Sequence, residues 1–275
     1  MREKNIYFDS MKSKDQITRL DIKTDSEAIK ERARLCGIGP GARVLDAGCF
    51  SGKVSSILNE LVQPEGEVVG IDHSEERIRY AIDNFGNMGI DFQVMDFNGP
   101  LGELGQFDFV WMQFVLEFFR EESPDIVKRF TSCLKPDGYL CLLDLDYNCL
   151  NYYQLPDDME VMLHKVIKKL EMEHNFDPYA GIKLFSYLYD LNYRDIQVNL
   201  VPHHLIYGDL KSTDDLNWAR KVELASQLVI DIFDEYTGGY DSFFSDFEKF
   251  FNDPRRFCYS PLIICKGKKP LNNHP

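Results

Sequence analysis

The chain has 275 residues, 44% of them hydrophobic and 13% aromatic, enough for one large domain or one domain with a smaller lobe. Its 31 basic and 45 acidic residues leave a net charge of −14, which disfavours a nucleic-acid backbone or an anionic membrane as partner. No run of about 18 apolar residues, no secretory h-region after Met1 and seven scattered cysteines without a Cys-x-x-Cys spacing make a cytoplasmic location the expectation.

Residues 1–40 are polar and helix-prone. Thr24-Asp25-Ser26-Glu27 reads as a capping box opening a helix that ends near Gly37, and the segment is expected to act as a lid over a ligand site or to flank a sheet. From 41 to 146 strands and helices alternate. The first strand, Arg43–Asp46, is followed by a helix over about 52–61. The second, Glu67–Ile71, ends in Asp72, and Ser74 caps a helix with Ile78, Ala81, Ile82 and Phe85 at helical spacing. The third strand, Asp91–Met95, ends in Asp96. The fourth, Phe107–Met112, precedes a helix over about 115–133 with Pro124 starting a fresh turn. Lys135-Pro136-Asp137-Gly138 reads as a turn into a fifth strand, Tyr139–Leu145. Repeated units of this kind build a parallel sheet with helices on both faces.

The alternation is interrupted over 147–180 by a helical insert, in which Met159, Met162, Leu163, Val166, Ile167 and Leu170 form a core stripe. Residues 181–204 return to the sheet through a helix over 181–191 and a strand, Arg194–Val201. Residues 205–252 form a helical cap: Ser212-x-x-Asp215 opens a long helix to about Tyr236, Gly238-Gly239 breaks it, and a Phe-rich helix follows over 240–251. The last strand, Cys258–Lys266, and a tail occupy 253–275.

Residues 43–52 carry the most chemical information. An apolar strand runs into Asp46, then through Gly48 and Gly52 into a helix. Such a turn offers backbone N–H groups and a positive helix end to a ligand, and open α/β sheets bind ligands at the carboxyl ends of their strands. An acid at that position repels a pyrophosphate and suits a cationic ligand bearing hydroxyl and amino groups. Asp46, Asp72 and Asp96 each close one strand, so the three carboxylates line one crevice. Asp72 is placed to accept from ribose hydroxyls, and Asp96 can reach an adenine amine.

Here the chain resembles the class I S-adenosylmethionine-dependent methyltransferases. Their acid-x-Gly-x-Gly-x-Gly motif is matched by Asp46, Gly48 and Gly52, with Phe50 in place of the middle glycine, a bulky side chain where the backbone should approach the cofactor. Val68-Val69-Gly70-Ile71-Asp72 looks like the second motif and Val94-Met95-Asp96-Phe97 like the third. Phe107-Asp108-Phe109-Val110 through Leu116-Glu117 resembles the fourth, with Gln113 and Phe114 nearest the methionine moiety. Leu134 to Tyr139 is similar to the turn before strand five, and the resemblance thins after 147. It implies an α/β fold: a doubly wound, mostly parallel seven-stranded Rossmann-like sheet with helical insertions. It also implies S-adenosylmethionine as cofactor, bound by Asp46, Gly48, Cys49, Gly52, Asp72, His73, Asp96, Phe97 and Gln113. Phe118 stands where many relatives carry a histidine, so the resemblance lends no base there.

Methyl transfer from a sulfonium needs a base only when the nucleophile arrives protonated. His203 and His204 are the candidates, although paired histidines at a sheet edge are more often structural. His164 and His174 lie at opposite ends of one helix, so no metal site is expected. Tyr147, Tyr152, Tyr153, Tyr179, Tyr187, Tyr189 and Tyr193 either wall a substrate pocket or pack the insert onto the sheet. The expected reaction is methyl transfer to a small or medium-sized, aromatic or apolar acceptor. The alternatives are a catalytically silent cofactor-binding module with a protein partner, or a different group transfer from the same cofactor.

Overall fold

The computed structural model describes residues 24–211 and 221–271. Helix α1 (Ser26–Cys36) is capped by Asp25, whose carboxylate accepts from the Glu27 and Ala28 N–H groups, and Gly37 closes it in the left-handed region. Ala33 and Cys36 pack into the sheet's own apolar cluster, so the described part of the leading segment flanks the sheet; residues 1–23 lie outside the described residues.

The sheet is built from β1 (Arg43–Ala47), β2 (Glu67–Asp72), β3 (Asp91–Val94), β4 (Phe107–Gln113), β5 (Leu134–Leu145), β6 (Asn151–Tyr152), β7 (Arg194–Tyr207) and β8 (Phe257–Lys268). The order is β3-β2-β1-β4-β5-β8, with β7 on the far edge of β8 and β6 also paired to β8. Strands β1 to β5 are mutually parallel and β8 is antiparallel to β5, β6 and β7. Helices α2 (Lys53–Val62) and α3 (Glu75–Phe85) follow β1 and β2. The doubly wound expectation holds, with one addition. Cys258 pairs with both Tyr152 and Ile206, so the two-residue β6 continues the line of β5 along one edge of β8 and makes an eighth strand.

Because side chains alternate along a strand, each central strand feeds two cores. Leu45 and Ala47 point into one cluster and Val44 into the other. The strand order reverses between β1 and β4, which opens a crevice beyond their carboxyl ends, where such sheets take ligands.

Four boundaries differ from expectation. The single helix over 115–133 is instead a one-turn 3-10 segment, Leu116–Phe118, followed by α4 (Ser123–Phe130) and a second 3-10 turn, Thr131–Cys133. The Pro124 ring clashes with a preceding helical carbonyl, so the helix starts at the proline instead of running through it. Strand β5 begins at Leu134 because residues 135–138 form a bulge against β4, with Asp137 at φ +65° tied to Arg194 and Lys268. Strand β7 continues past Val201 to Tyr207, so the cap begins later than 205. Pro202 is tolerated there because β7 is an edge strand, and it sits opposite Pro261. In the insert, α5 is confined to Asp157–Glu173, and α6 (Ala180–Asp190) leads into β7.

The cap holds a third core. Residues 221–227 form helix α7, followed by a 3-10 segment, Ile230–Glu235; the expected Ser212 and Asp215 cap lies outside the described residues. Helix α8 (Gly239–Asn252) buries Phe243, Phe247 and Phe251, one per turn, against Val229, Phe233 and the Met159, Met162 and Leu163 stripe of α5. Each buried phenylalanine contributes about 1.5–3 kcal/mol. The methionines are core, as expected.

Candidate binding site at the carboxyl ends of the strands

The turn after β1 is held by its own backbone. Gly48 and Cys49 both donate to the Ile71 carbonyl, at 2.8 and 2.9 Å, and Gly52 donates to Cys49. The expectation of free N–H groups is corrected at these positions: β1 and β2 are in register, so the end of β2 lies against the turn. The glycines are needed for close approach. Gly48 sits at φ +85°, and a Cβ there would come within 2.5 Å of Val115 Cγ2. Gly52 sits at φ +83°, and a Cβ there would meet Ala81 and Phe92 at 2.8 Å.

Phe50, in place of the middle glycine, packs its ring on a cation. Its backbone is left-handed at φ +51°, and its ring lies against the Arg77 guanidinium, 4.4 Å from centroid to Cζ. Arg77, on the first turn of α3, is fully buried.

The three acids have different environments. Asp46 is 2% exposed and accepts from Ser55 Oγ at 2.6 Å. Burial pushes its carboxyl up to about 7, with the charge of Asp72 adding to the rise and the Ser55 bond opposing it. Asp72 is equally buried, and burial alone would raise it too. The His73 hydrogen bond, the Arg77 charge and the Ser74 N–H outweigh that and hold it below the usual carboxylate range. Its Oδ1 accepts from Ser74 N–H at 2.9 Å and lies 3.2 Å from His73 Nδ1, and its Oδ2 accepts from Phe50 N–H at 3.3 Å. Asp96 is exposed and caps its own turn by accepting from Asn98 N–H at 2.8 Å.

Phe97 is buried, packed edge-on against Phe130, and its ring tip approaches Gly48. Gln113 ends β4, two residues past Trp111, the register partner of Asp46. Its Oε1 is buried with no hydrogen-bond partner among the described residues. Asp46, Gly48, Cys49, Gly52, Asp72 and His73 thus gather in one loop cluster, flanked by Gln113 on the β4 side and by Asp96 and Phe97 on the β3 side.

His203 reaches the same rim from β7. Its ring lies 5.2 Å from that of Phe114 and 4.0 Å from His204, which sits in a bulge at φ +50°. A second polar cluster went unread in the sequence. Glu117 is 4% exposed and accepts from Asn148 Nδ2 at 2.7 Å, and Asn148 Oδ1 accepts from Lys221 Nζ at 2.8 Å. Asp144 accepts the Leu116 and Glu117 N–H groups, and burial pushes both carboxyls up. Beside this cluster lies a cavity of about 30 Å³ lined by Asn148, Lys221 and Ser226 and by the apolar Leu163, Ile167 and Phe176 among others. No tyrosine of the insert lines it. An acid set among leucine and phenylalanine, Leu116-Glu117-Phe118, was the one signal in the sequence for this cluster.

The matched family model, described as a methyltransferase domain, covers residues 38–196. Juvenile hormone acid O-methyltransferase from Bombyx mori is 38% identical over 178 residues, 62% of this chain and 63% of that protein. Demethylmenaquinone methyltransferase from Bacillus cytotoxicus is 29% identical over 118 residues, 42% of this chain and 49% of that protein. The chain therefore matches less than two thirds of the length of these relatives. Among solved structures, phosphoethanolamine N-methyltransferase 2 from Haemonchus contortus superposes with a TM-score of 0.59 at 14% identity, covering 96% of this chain and 59% of that one. The cyclase SpnF superposes with a TM-score of 0.53 at 17% identity, covering 90% of this chain and 82% of that one. The fold alone therefore spans different reactions, and the sequence match is what decides. S-adenosylmethionine is the cofactor that goes with that match, and the chain belongs to the methyltransferase-domain family.

Proposed function

We propose that this chain is an S-adenosylmethionine-dependent methyltransferase that acts on an oxygen atom of a small or medium-sized, mainly apolar acceptor. The observation that carries the reading is the pair of buried carboxylates, Asp46 and Asp72, beside a glycine turn that tolerates no added Cβ. An adenosyl sulfonium offers a ribose diol, an ammonium group and a net positive charge, and this site offers acceptors and negative charge.

In this reading Asp72, kept ionised, accepts from the ribose hydroxyls. Gln113 Oε1, buried and without a partner among the described residues, accepts from the ammonium end, and Asp46 supplies charge to the same end. Gly48, Cys49 and Gly52 give close approach, His73 flanks the ribose, and Asp96 with Phe97 meets the adenine. When bound, the cofactor supplies a methyl group on a good leaving group. The chain's own task is then to hold the acceptor in line and keep water out.

The reacting end of the acceptor is expected beneath the cap, beside Asn148 and Lys221, where the described cavity of about 30 Å³ admits a group no larger than a water. Lys221 Nζ, which donates to Asn148 Oδ1, offers a positive charge to an oxygen anion there. The matched proteins from Bombyx mori and Saccharothrix syringae are both named O-methyltransferases, the latter 32% identical over 106 residues, 38% of each chain. A carboxylate acceptor arrives deprotonated and needs no base, so His203 and His204 would serve only a hydroxyl acceptor.

The test is turnover of methyl-labelled S-adenosylmethionine against a panel of apolar carboxylic acids, phenols and amines. The expected result is a labelled ester or ether with S-adenosylhomocysteine as co-product. Cofactor binding without turnover on any acceptor would favour the silent binding module instead.

A further inference from the structure

Phe50, Asp72 and Arg77 form a closed triangle that the motif does not call for. The Phe50 N–H reaches Asp72 Oδ2 at 3.3 Å, the Phe50 ring lies 4.4 Å from the Arg77 Cζ, and Arg77 Nη1 lies 3.6 Å from Asp72 Oδ1. Each corner sits on a different element: the turn after β1, the end of β2 and the first turn of α3.

A fully buried guanidinium is costly to desolvate unless a counter-charge and a polarisable face receive it. Here the counter-charge is Asp72 and the face is the ring of Phe50. The aromatic residue in place of glycine and the buried arginine therefore explain each other. A glycine at 50 would leave Arg77 without the ring, and an apolar residue at 77 would leave the ring without the cation.

The two oxygens of Asp72 are not equivalent. Oδ1 accepts the Ser74 N–H and lies 3.2 Å from His73 Nδ1, with the charge of Arg77 Nη1 3.6 Å away and not hydrogen-bonded to it, whereas Oδ2 accepts only the Phe50 N–H among the described residues. A carboxylate oxygen has two lone pairs. Contacts on Oδ1 fix the rotation of the carboxylate and leave acceptor capacity on Oδ2.

We infer that Arg77 is a positioning residue of the cofactor site, pinning Asp72 by Oδ1 and Phe50 by its ring so that Oδ2 is presented to the ribose. The inference rests on the cofactor reading above. Arg77 touches no ligand in this account; it sets the orientation of a residue that does. Its planar, delocalised cation meets both a carboxylate and a ring face, which a lysine ammonium does less well.

The test is calorimetric titration of the full chain with S-adenosylhomocysteine. The wild type comes first, because no binding there defeats the cofactor reading itself. Arg77→Met is expected to weaken binding at least about tenfold, and Arg77→Lys, which restores the charge without the plane, to recover part of that loss. Phe50→Leu is expected to weaken binding about threefold alone and to add nothing in the Arg77→Met background, because the two act through one contact. Wild-type affinity in Arg77→Met, a lysine variant as weak as the methionine one, or additive losses would each overturn the inference while leaving the cofactor reading intact. If Arg77→Met does not fold, unchanged affinity in Phe50→Leu overturns it alone.

Discussion

The Ser55 hydroxyl donates to Asp46 Oδ2 across 2.6 Å, and both side chains are closed off from water. This bond is the one described group that steadies Asp46 as an anion, and burial still leaves its carboxyl at about 7. Asp72, at the end of the next strand, is held in the opposite direction by His73, Arg77 and Ser74. One acid is fixed as a charge and its neighbour is poised near neutrality.

If Asp46 faces the cofactor as proposed, its poise is expected to make cofactor binding pH-dependent. Protonation removes a negative charge facing a cationic ligand, so affinity falls as pH drops through about 7. One proton taken up limits the slope to about tenfold per pH unit. Calorimetry with S-adenosylmethionine at several pH values between about 6 and 8 is expected to show this slope. Asp46→Asn is expected to bind more weakly and to lose the slope.

The same residue predicts a trade between stability and binding. The folded carboxyl titrates above its unfolded value, so between about pH 4 and pH 7 the folded chain holds the extra proton, and stability falls as pH rises through that window. Asp46→Asn removes the penalty. Urea unfolding at about pH 8 is expected to show the variant more stable than wild type by up to about 4 kcal/mol, and the two are expected to converge near about pH 4.

Gly52→Ala tests the cradle. A left-handed conformation at φ +83° costs an alanine about 1–2 kcal/mol, and crowding against Ala81 and Phe92 costs about 1–3 kcal/mol more. Urea unfolding is expected to show a loss of about 2–5 kcal/mol. A neutral effect would mean that the turn relaxes.

Most of the sheet was legible because its signals are local. Apolar runs ending in Asp46 and Asp72, glycines after Asp46 and the Ser74 cap after Asp72 mark strand, turn and helix without distant information. The role of Phe50 was hidden because the partner of its ring, Arg77, is distant in sequence and looks in isolation like a solvated helical position. Ser55 and Asn148 are polar residues whose importance comes from burial, which only the fold creates. The length of β7 was hidden for a similar reason: Pro202 argues against a strand, and its tolerance depends on lying at a sheet edge opposite Pro261.

The Glu117–Asn148–Lys221 chain of hydrogen bonds tests the proposed acceptor space separately from the cofactor site. Asn148→Leu breaks the chain from Lys221 to Glu117 and leaves a buried carboxyl without its donor, a cost of about 1–3 kcal/mol. The KM for the acceptor is expected to rise several-fold while affinity for S-adenosylhomocysteine stays within about twofold. Equal losses in both would mean that the bridge supports the whole fold and not the acceptor space.

Asp72 bears the central claim, and calorimetric titration of wild type and Asp72→Ala with S-adenosylhomocysteine tests it most directly. Hydrogen bonds to a charged acceptor contribute about 1.5–3 kcal/mol each, so losing the acceptor of the ribose hydroxyls is expected to weaken binding about a hundredfold or more. Far-ultraviolet circular dichroism is expected to stay unchanged. A folded Asp72→Ala variant that binds as tightly as wild type would contradict the account.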